Sequence, residues 1–156
     1  MNEPQGAPAG TPDSPYPHLH SALLNISELL RSAVAQASAP DGLTAQQYAV
    51  LRIVAPAGDT GLPTLEIARQ MVEKTPGITR LVDRLVEQGL LQRRRGQDRR
   101  QMLCSATRTG RELLERVDQR VMGIQSRVFE CLTRNESGAL LHLLARLRVR
   151  IEKETM

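Results

Sequence analysis

Apolar residues recur at helical spacing through most of the 156-residue chain. Over residues 18–37 they are separated by steps of three and four, which places them on one face of a helix. The same pattern predicts a shorter helix from about residue 44 and two long helices over about 107–131 and 133–153. Two of these starts have the spacing of a capping box, Thr44 with Gln47 and Thr133 with Glu136.

The middle of the chain has a different pattern, in which two short helices are followed by two short strands. The helices cover about 63–71 and 75–88, and the second has Thr75 as its predicted cap, a proline in its first turn and a glycine after its end. Residues 90–95 and 101–106 are the predicted strands of a hairpin. The sequence therefore predicts a mainly α protein with a small β-hairpin.

The domain organisation follows from these elements. Residues 1–17 hold five of the nine prolines and little apolar surface, which predicts a disordered tail. Residues 18–156 form a single domain, with a compact lobe at 43–107 and long apolar helices at 18–40 and 108–156. Because one short chain leaves little to cover these long helices, we expect a second copy to pair with them as dimerisation helices. The alternative is a monomer in which they pack on one another.

The charge of the chain is local. The net charge is only +4, but residues 80–111 contain nine arginines against three acidic residues, so this stretch carries +6 and the rest carries −2. Arginines that lie this close together repel one another in the free protein, and an anionic partner relieves that repulsion. We therefore expect a polyanion such as DNA to bind here.

Other classes of function find no support in the sequence. There is no phosphate-binding loop, no dinucleotide-binding glycine motif and no zinc-protease motif, so we expect neither a cofactor nor a metal and no enzymatic activity. There is also no apolar run of membrane-spanning length and no signal peptide. The chain has two cysteines, Cys104 and Cys131, and the expected location is the reducing cytoplasm. We interpret both as buried structural thiols; the alternative is a reactive thiol, for which Cys104 among the arginines is the better candidate.

Two short helices joined by a tight turn are typical of a helix-turn-helix, whose second helix lies in the major groove with its N-terminal end toward the bases. The hairpin that follows, over about 93–103, would be a wing that reaches the minor groove, where arginine is favoured. Asp98 would brace Arg100 rather than contact DNA, since phosphate would repel it. The candidate DNA-binding residues are Thr75, Gly77, Thr79, Arg80, Arg84, Arg93, Arg94, Arg95, Asp98, Arg99 and Arg100.

The sequences Ile78-Thr79-Arg80-Leu81-Val82-Asp83-Arg84-Leu85, Gly89-Leu90-Leu91, Asp98-Arg99-Arg100 and Ala106-Thr107-Arg108-Thr109-Gly110 resemble the MarR family of bacterial transcription regulators, in order and spacing, over about residues 19–153. The resemblance implies a winged helix-turn-helix in an obligate homodimer that binds pseudo-palindromic operators and usually represses transcription. It also implies that Arg100 enters the minor groove at the wing tip. Pro63 stands where a capping serine or threonine is commoner, so the start of the third helix stays open.

The resemblance also permits a small aromatic or lipophilic effector, bound between the dimer helices and the DNA-binding lobe. Candidate ligand residues are His20, Leu24, Tyr48, Arg52 and Val117. The alternative interpretation is that these are ordinary packing or surface residues. For the protein as a whole, the alternative function is a nucleic-acid-binding or architectural protein without sequence specificity, because a basic cluster alone would serve that role.

Overall fold

The structure is a computed structural model, and it describes residues 15–71, 77–96 and 101–155. The elements follow one another as six helices and three short strands. They are α1 (Tyr16–Ser38), α2 (Ala45–Val54), β1 (Leu62–Pro63), α3 (Thr64–Gln70), α4 (Ile78–Glu87), β2 (Leu91–Arg95), β3 (Met102–Ala106), α5 (Arg108–Phe129) and α6 (Arg134–Glu154), with short 3-10 turns at Ala39–Asp41 and Ala55–Thr60.

The mainly helical fold with a small antiparallel sheet confirms the predicted fold class. Strands β2 and β3 pair in register from Leu91 opposite Ala106 to Arg95 opposite Met102, which is the predicted hairpin. The sheet also has a third strand that the sequence did not predict, because β1 pairs with the other side of β3. This strand is only two residues long, and Pro63 is tolerated in it because β1 is an edge strand.

The start of α1 differs from the prediction. Residues 1–14 of the predicted disordered tail lie outside the described residues, but Tyr16 and Pro17 already belong to the helix. Proline fits the first turn of a helix, because a backbone N–H at that position would have no hydrogen-bond partner within the helix. At α3 the structure resolves the open question of the start: Pro63 is the extended residue before the helix and makes no side-chain cap.

The lobe around α2 contains the densest part of the core. Val50, Leu51 and Val54 are fully buried along one face of α2, and Ile67 from α3 and Leu85 from α4 are fully buried with them. The predicted capping box at the start of α2 is present, because Thr44 accepts from the amide of Gln47 and the Gln47 side chain accepts from the amide of Thr44. The same core includes Ala37 of α1 and Val117 of α5, so the lobe packs together with two of the long helices.

A close contact joins the hairpin to α5. Thr107 caps α5 and donates its hydroxyl to the carbonyl of Gly89 at 2.7 Å. Gly110, in the first turn of α5, lies against the backbone of Leu90, and a Cβ at this position would be only 2.1 Å from the Leu90 carbonyl oxygen. Only glycine allows this approach, which holds the base of the hairpin against the long helix.

The two terminal helices leave most of their apolar residues exposed. In α1 only Ala37 and Ser38 are buried, and α6 contains no buried residue. The predicted stripe of α6 is present, and its capping box at Thr133 and Glu136 is formed. Within the described part of the chain, no helix combines the length and apolar character needed to cross a membrane.

The two cysteines have different environments. Cys104 is buried in β3, as predicted, and Cys131 is exposed just after α5. The prediction of a buried thiol was wrong for Cys131, because α5 ends at Phe129 and the chain turns there at the surface. Among the described residues no three histidine, cysteine or acidic side chains are grouped so that they could hold a metal ion.

Candidate nucleic-acid interface

Helix α4 has one buried face and one exposed face. Val82 and Leu85 are fully buried against the lobe, and a hydrogen bond of 3.2 Å from Gln47 to Gln88 ties the end of α4 to α2. The opposite face is exposed and carries the predicted DNA-binding residues Thr79, Arg80 and Arg84. The helix is thus fixed on a rigid support while its polar face stays open to a ligand.

The start of α4 is a glycine with a left-handed backbone. Gly77 has φ of 96° and is the residue that precedes the first helical turn. Side chains with a Cβ rarely adopt this conformation, so Gly77 has a backbone role besides leaving room for a close approach. The predicted cap Thr75 lies outside the described residues.

Arg93, a predicted DNA contact in β2, makes an internal ion pair. Its Nη1 donates to Oδ1 of Asp83 in α4 at 2.5 Å, and its side chain is 27% exposed. Burial is the largest single influence and lowers the pKa of Arg93, but the hydrogen bond and charge of Asp83, together with the nearby Cys104, outweigh it and raise the pKa above its usual value. The structure therefore places this guanidinium between the hairpin and α4.

The neighbouring arginines of β2 point elsewhere. Arg94 donates from Nη2 to the carbonyl oxygen of Thr60 at 2.8 Å, which links the hairpin to the turn before β1. Arg95 is exposed at the end of the strand. The remaining predicted wing residues, Asp98, Arg99 and Arg100, lie outside the described residues. The described chain thus presents Thr79, Arg80 and Arg84 on α4, directs Arg93 to that helix and directs Arg94 to the turn before β1.

Two of the predicted effector residues meet between α2 and α5. The Tyr48 hydroxyl donates to Oδ1 of Asp118 at 2.5 Å. The Arg52 guanidinium lies 5.7 Å from the centre of the Tyr48 ring, and its Nε is 3.9 Å from the same Asp118 oxygen. The pKa of Tyr48 is raised to about 12, first by burial and then by the hydrogen bond and charge of Asp118, whereas Arg52 opposes the rise.

The sequence analysis did not predict Asp118 as the partner of Tyr48. The signal that pointed to such a partner was the place of Tyr48 on the apolar stripe of α2, since a buried tyrosine hydroxyl usually finds a hydrogen-bond partner. Which partner it finds depends on the packing of α5 against α2, which the spacing along the chain does not show.

The other three predicted effector residues do not join this group. Val117 is fully buried in the core, and Leu24 is 58% exposed on α1. His20 is exposed on the first turns of α1. A cavity of about 110 Å³ does lie between α1 and α5, but its walls come from other residues, namely Leu30, Ala33, Val34, Val121, Ile124, Gln125 and Phe129.

Comparison with known proteins agrees with this geometry. The sequence profile of the MarR family matches residues 43–102, the segment that contains the lobe and the first part of the hairpin. The chain is 25% identical over 126 residues to the uncharacterized HTH-type transcriptional regulator YwoH of Bacillus subtilis, covering 81% of this chain and 90% of YwoH.

Solved structures share the fold. The structure of CouR from Rhodococcus jostii bound to p-coumaroyl-CoA has a TM-score of 0.74 and 28% identity, over 86% of this chain and 94% of CouR. A mutant of MarR from E. coli complexed with operator DNA has a TM-score of 0.75 over 88% of this chain and 99% of that one. Its identity of 22% supports the likeness of fold alone.

Proposed function

We propose that this chain, whose residues 43–102 match the MarR family and which is similar to an HTH-type transcriptional regulator, acts as a homodimeric repressor that binds a pseudo-palindromic operator. One observation carries the proposal. The apolar face of α4 is fixed in the lobe core, its opposite face presents Thr79, Arg80 and Arg84, and the arginine strand β2 lies next to it.

In the proposed complex, the recognition helix of about residues 75–88 lies in the major groove and the wing of about 93–103 lies along the minor groove. Arg80 faces base edges, since a guanidinium prefers guanine, and Arg84, one turn further, contacts phosphate. Arg100 enters the minor groove at the wing tip. The protein acts on DNA in the cytoplasm.

The second copy follows from the exposed terminal helices. Exposed leucines along α1 and α6 are unusual for a monomer, whose exposed apolar patches are small. Pairing of two chains through these helices would relate two lobes by a two-fold axis. Two recognition helices about 34 Å apart then meet successive turns of the major groove.

A small aromatic effector is the proposed signal. Its support is that the CouR structure contains p-coumaroyl-CoA, an aromatic thioester, and that Tyr48 and Arg52 form a polar and aromatic group between α2 and α5 in this chain. Ligand contacts at this group would act on the junction between the lobe and the long helix α5. We also retain His20, Leu24 and Val117 as proposed effector-binding residues.

The test is a binding titration with DNA from upstream of the protein's own gene, in competition with random DNA. The proposal expects preference for the operator by about a thousandfold or more. Arg80→Gln should weaken operator binding by about tenfold or more, whereas Arg146→Gln, the same charge change on α6, should leave it unchanged. Equal affinity for both DNAs would favour the alternative, a nucleic-acid-binding protein without sequence specificity.

A further inference from the structure

Asp83 is a carboxylate on the DNA-facing side of α4. It lies between Arg80 and Arg84 in the sequence, and its side chain is 41% exposed. Phosphate would repel a free carboxylate at this position. A cation held beside Asp83 would cancel this repulsion.

Arg93 supplies that cation from the hairpin. The 2.5 Å contact between Nη1 and Oδ1 crosses from β2 to α4, and Arg93 stands opposite Cys104 in the register of the sheet. Cys104 is fully buried, and the Nε atom of Arg93 is itself buried without an acceptor among the described residues. The guanidinium is therefore seated at the joint of helix and hairpin rather than extended toward solvent.

Two further side-chain hydrogen bonds of β2 hold the hairpin but do not reach α4. Arg94 reaches the Thr60 carbonyl on the far side of the sheet, and Gln92 donates to the Ser105 hydroxyl at 3.2 Å across the strands. Among these contacts only the pair of Arg93 and Asp83 links the hairpin to α4. It lies beyond the turn at 88–90, where backbone hydrogen bonds already tie the chain to the end of α4.

We propose that Asp83 and Arg93 are positioning residues, whose ion pair aligns the wing with the recognition helix, and that Arg93 does not contact DNA itself. The inference rests on the proposed function, because it assigns a role within that DNA-binding surface. It also revises the sequence-based interpretation of Arg93 as a direct contact. A direct contact would require Arg93 to leave Asp83 and to exchange one anion for another, with Asp83 left unpaired beside the phosphates.

The test is the direction in which operator affinity changes when the charge of Asp83 is removed. Asp83→Asn removes a negative charge from the DNA-facing helix, so electrostatics alone would tighten operator binding. The proposal expects the opposite, a loss of about tenfold, because the wing is no longer aligned. Glu87→Gln is the matched control, since it removes the same charge one turn later on α4 from an exposed side chain, and it should leave affinity unchanged or slightly tighter.

The double variant tests the pairing. If Asp83 and Arg93 act as a unit, Asp83→Asn with Arg93→Gln weakens operator binding no more than about twofold beyond either single variant, as coupled residues do not add. If Arg93 is a direct phosphate contact, Arg93→Gln alone weakens binding and Asp83→Asn does not. Tighter or unchanged binding by Asp83→Asn overturns the proposal.

Hydrogen exchange of the free protein gives a readout that needs no DNA. Asp83→Asn should speed amide exchange in β2 and β3 by about tenfold and leave α2 protected, whereas Glu87→Gln should change neither. Unchanged exchange in both strands would contradict the proposal. A wild-type protein that shows no preference for any operator, while hydrogen exchange responds as expected, would contradict the proposed function. That result would still support the ion pair of Asp83 and Arg93 as a contact that holds the hairpin on α4.

Discussion

The lobe and the terminal helices are built from similar aliphatic residues, but they bury them very differently. In α2 the residues Val50, Leu51 and Val54 are fully buried. In α6 the predicted stripe is just as regular, yet Leu144 is 39% exposed and Leu147 is 47% exposed. The same helical period therefore describes two situations, a face that is covered within the chain and a face that is not.

This difference shows what apolar periodicity encodes. It indicates that a helix has a face to bury, but it does not indicate whether the covering surface belongs to the same chain. The apolar face of α2 is covered within the chain, because α1, α3, α4 and α5 pack around it. In α1 and α6 most of the apolar surface stays exposed, which supports the proposed pairing with a second copy.

The largest expected effect is on α6. Leu147→Glu should turn the proposed dimer into a monomer, because each buried leucine contributes about 1.5–3 kcal/mol and the two-fold axis doubles the loss. Operator affinity should fall by about a hundredfold or more. Light scattering coupled to size-exclusion chromatography measures the mass, and a titration with operator DNA measures the affinity.

Arg146→Glu is the control for this variant. Arg146 is the neighbour of Leu147 but lies on the opposite side of α6 from the leucine stripe, and it is exposed. We expect it to leave the mass of the particle unchanged. A wild-type protein that already has the mass of one chain at micromolar concentration would contradict the proposed dimer and would mean that the terminal helices stay uncovered.

Two glycines, Gly110 and Gly138, allow the packing of the lobe and of α6 to be compared directly. Gly110→Ala puts a methyl group 2.1 Å from the Leu90 carbonyl oxygen, so the base of the hairpin must shift, at a cost of about 2 kcal/mol or more. At Gly138 in α6 an added Cβ meets nothing within 4 Å. Gly138→Ala should therefore stabilise the protein by about 0.5–1 kcal/mol.

Urea unfolding measures both glycine variants in the same experiment. The expected result is opposite signs, with the midpoint lowered for Gly110→Ala and raised for Gly138→Ala, at equal slopes. A destabilisation of similar size in both would mean that the covering of α6 is as tight as that of the lobe. It would remove the distinction between the two regions.

Much of the fold could be predicted because its signals are local. Each capping box needs only four consecutive residues, and the hairpin strands are neighbours in the sequence. The predicted boundaries of the long helices lie within a few residues of the observed ones for the same reason. The exposed face of α4 could also be read from the sequence, since Val82 and Leu85 fix which side is buried.

The parts that were missed depend on packing between distant segments. Strand β1 consists of two residues and exists only because β3, about forty positions later, lies beside it. Arginines in the sequence indicated a basic surface, but not that Asp83 would hold Arg93. The partner of Tyr48, Asp118, is 70 positions away. No periodicity specifies such pairs, because they arise from how the helices meet.

The bond from Tyr48 to Asp118, between α2 and α5, gives an effect as small as that of Gly138→Ala. Tyr48→Phe should cost about 1 kcal/mol, since the acceptor is charged but 37% exposed. The pKa of Tyr48 is raised from 10.0 to about 12, so the stabilisation is fully present below pH 10 and is lost as the pH rises toward 12. The difference between wild type and Tyr48→Phe in urea unfolding should shrink across that range.

Absorbance of the tyrosinate form tests the cause of this shift. The chain has two tyrosines, so Tyr16→Phe leaves Tyr48 as the sole chromophore of this kind, and its titration should have a midpoint near 12. Asp118→Asn in the same background should move the midpoint down, because the carboxylate favours the neutral phenol by charge and by its hydrogen bond. An identical midpoint with and without the Asp118 carboxylate would mean that burial alone sets the pKa and that the junction is held by packing rather than by this bond.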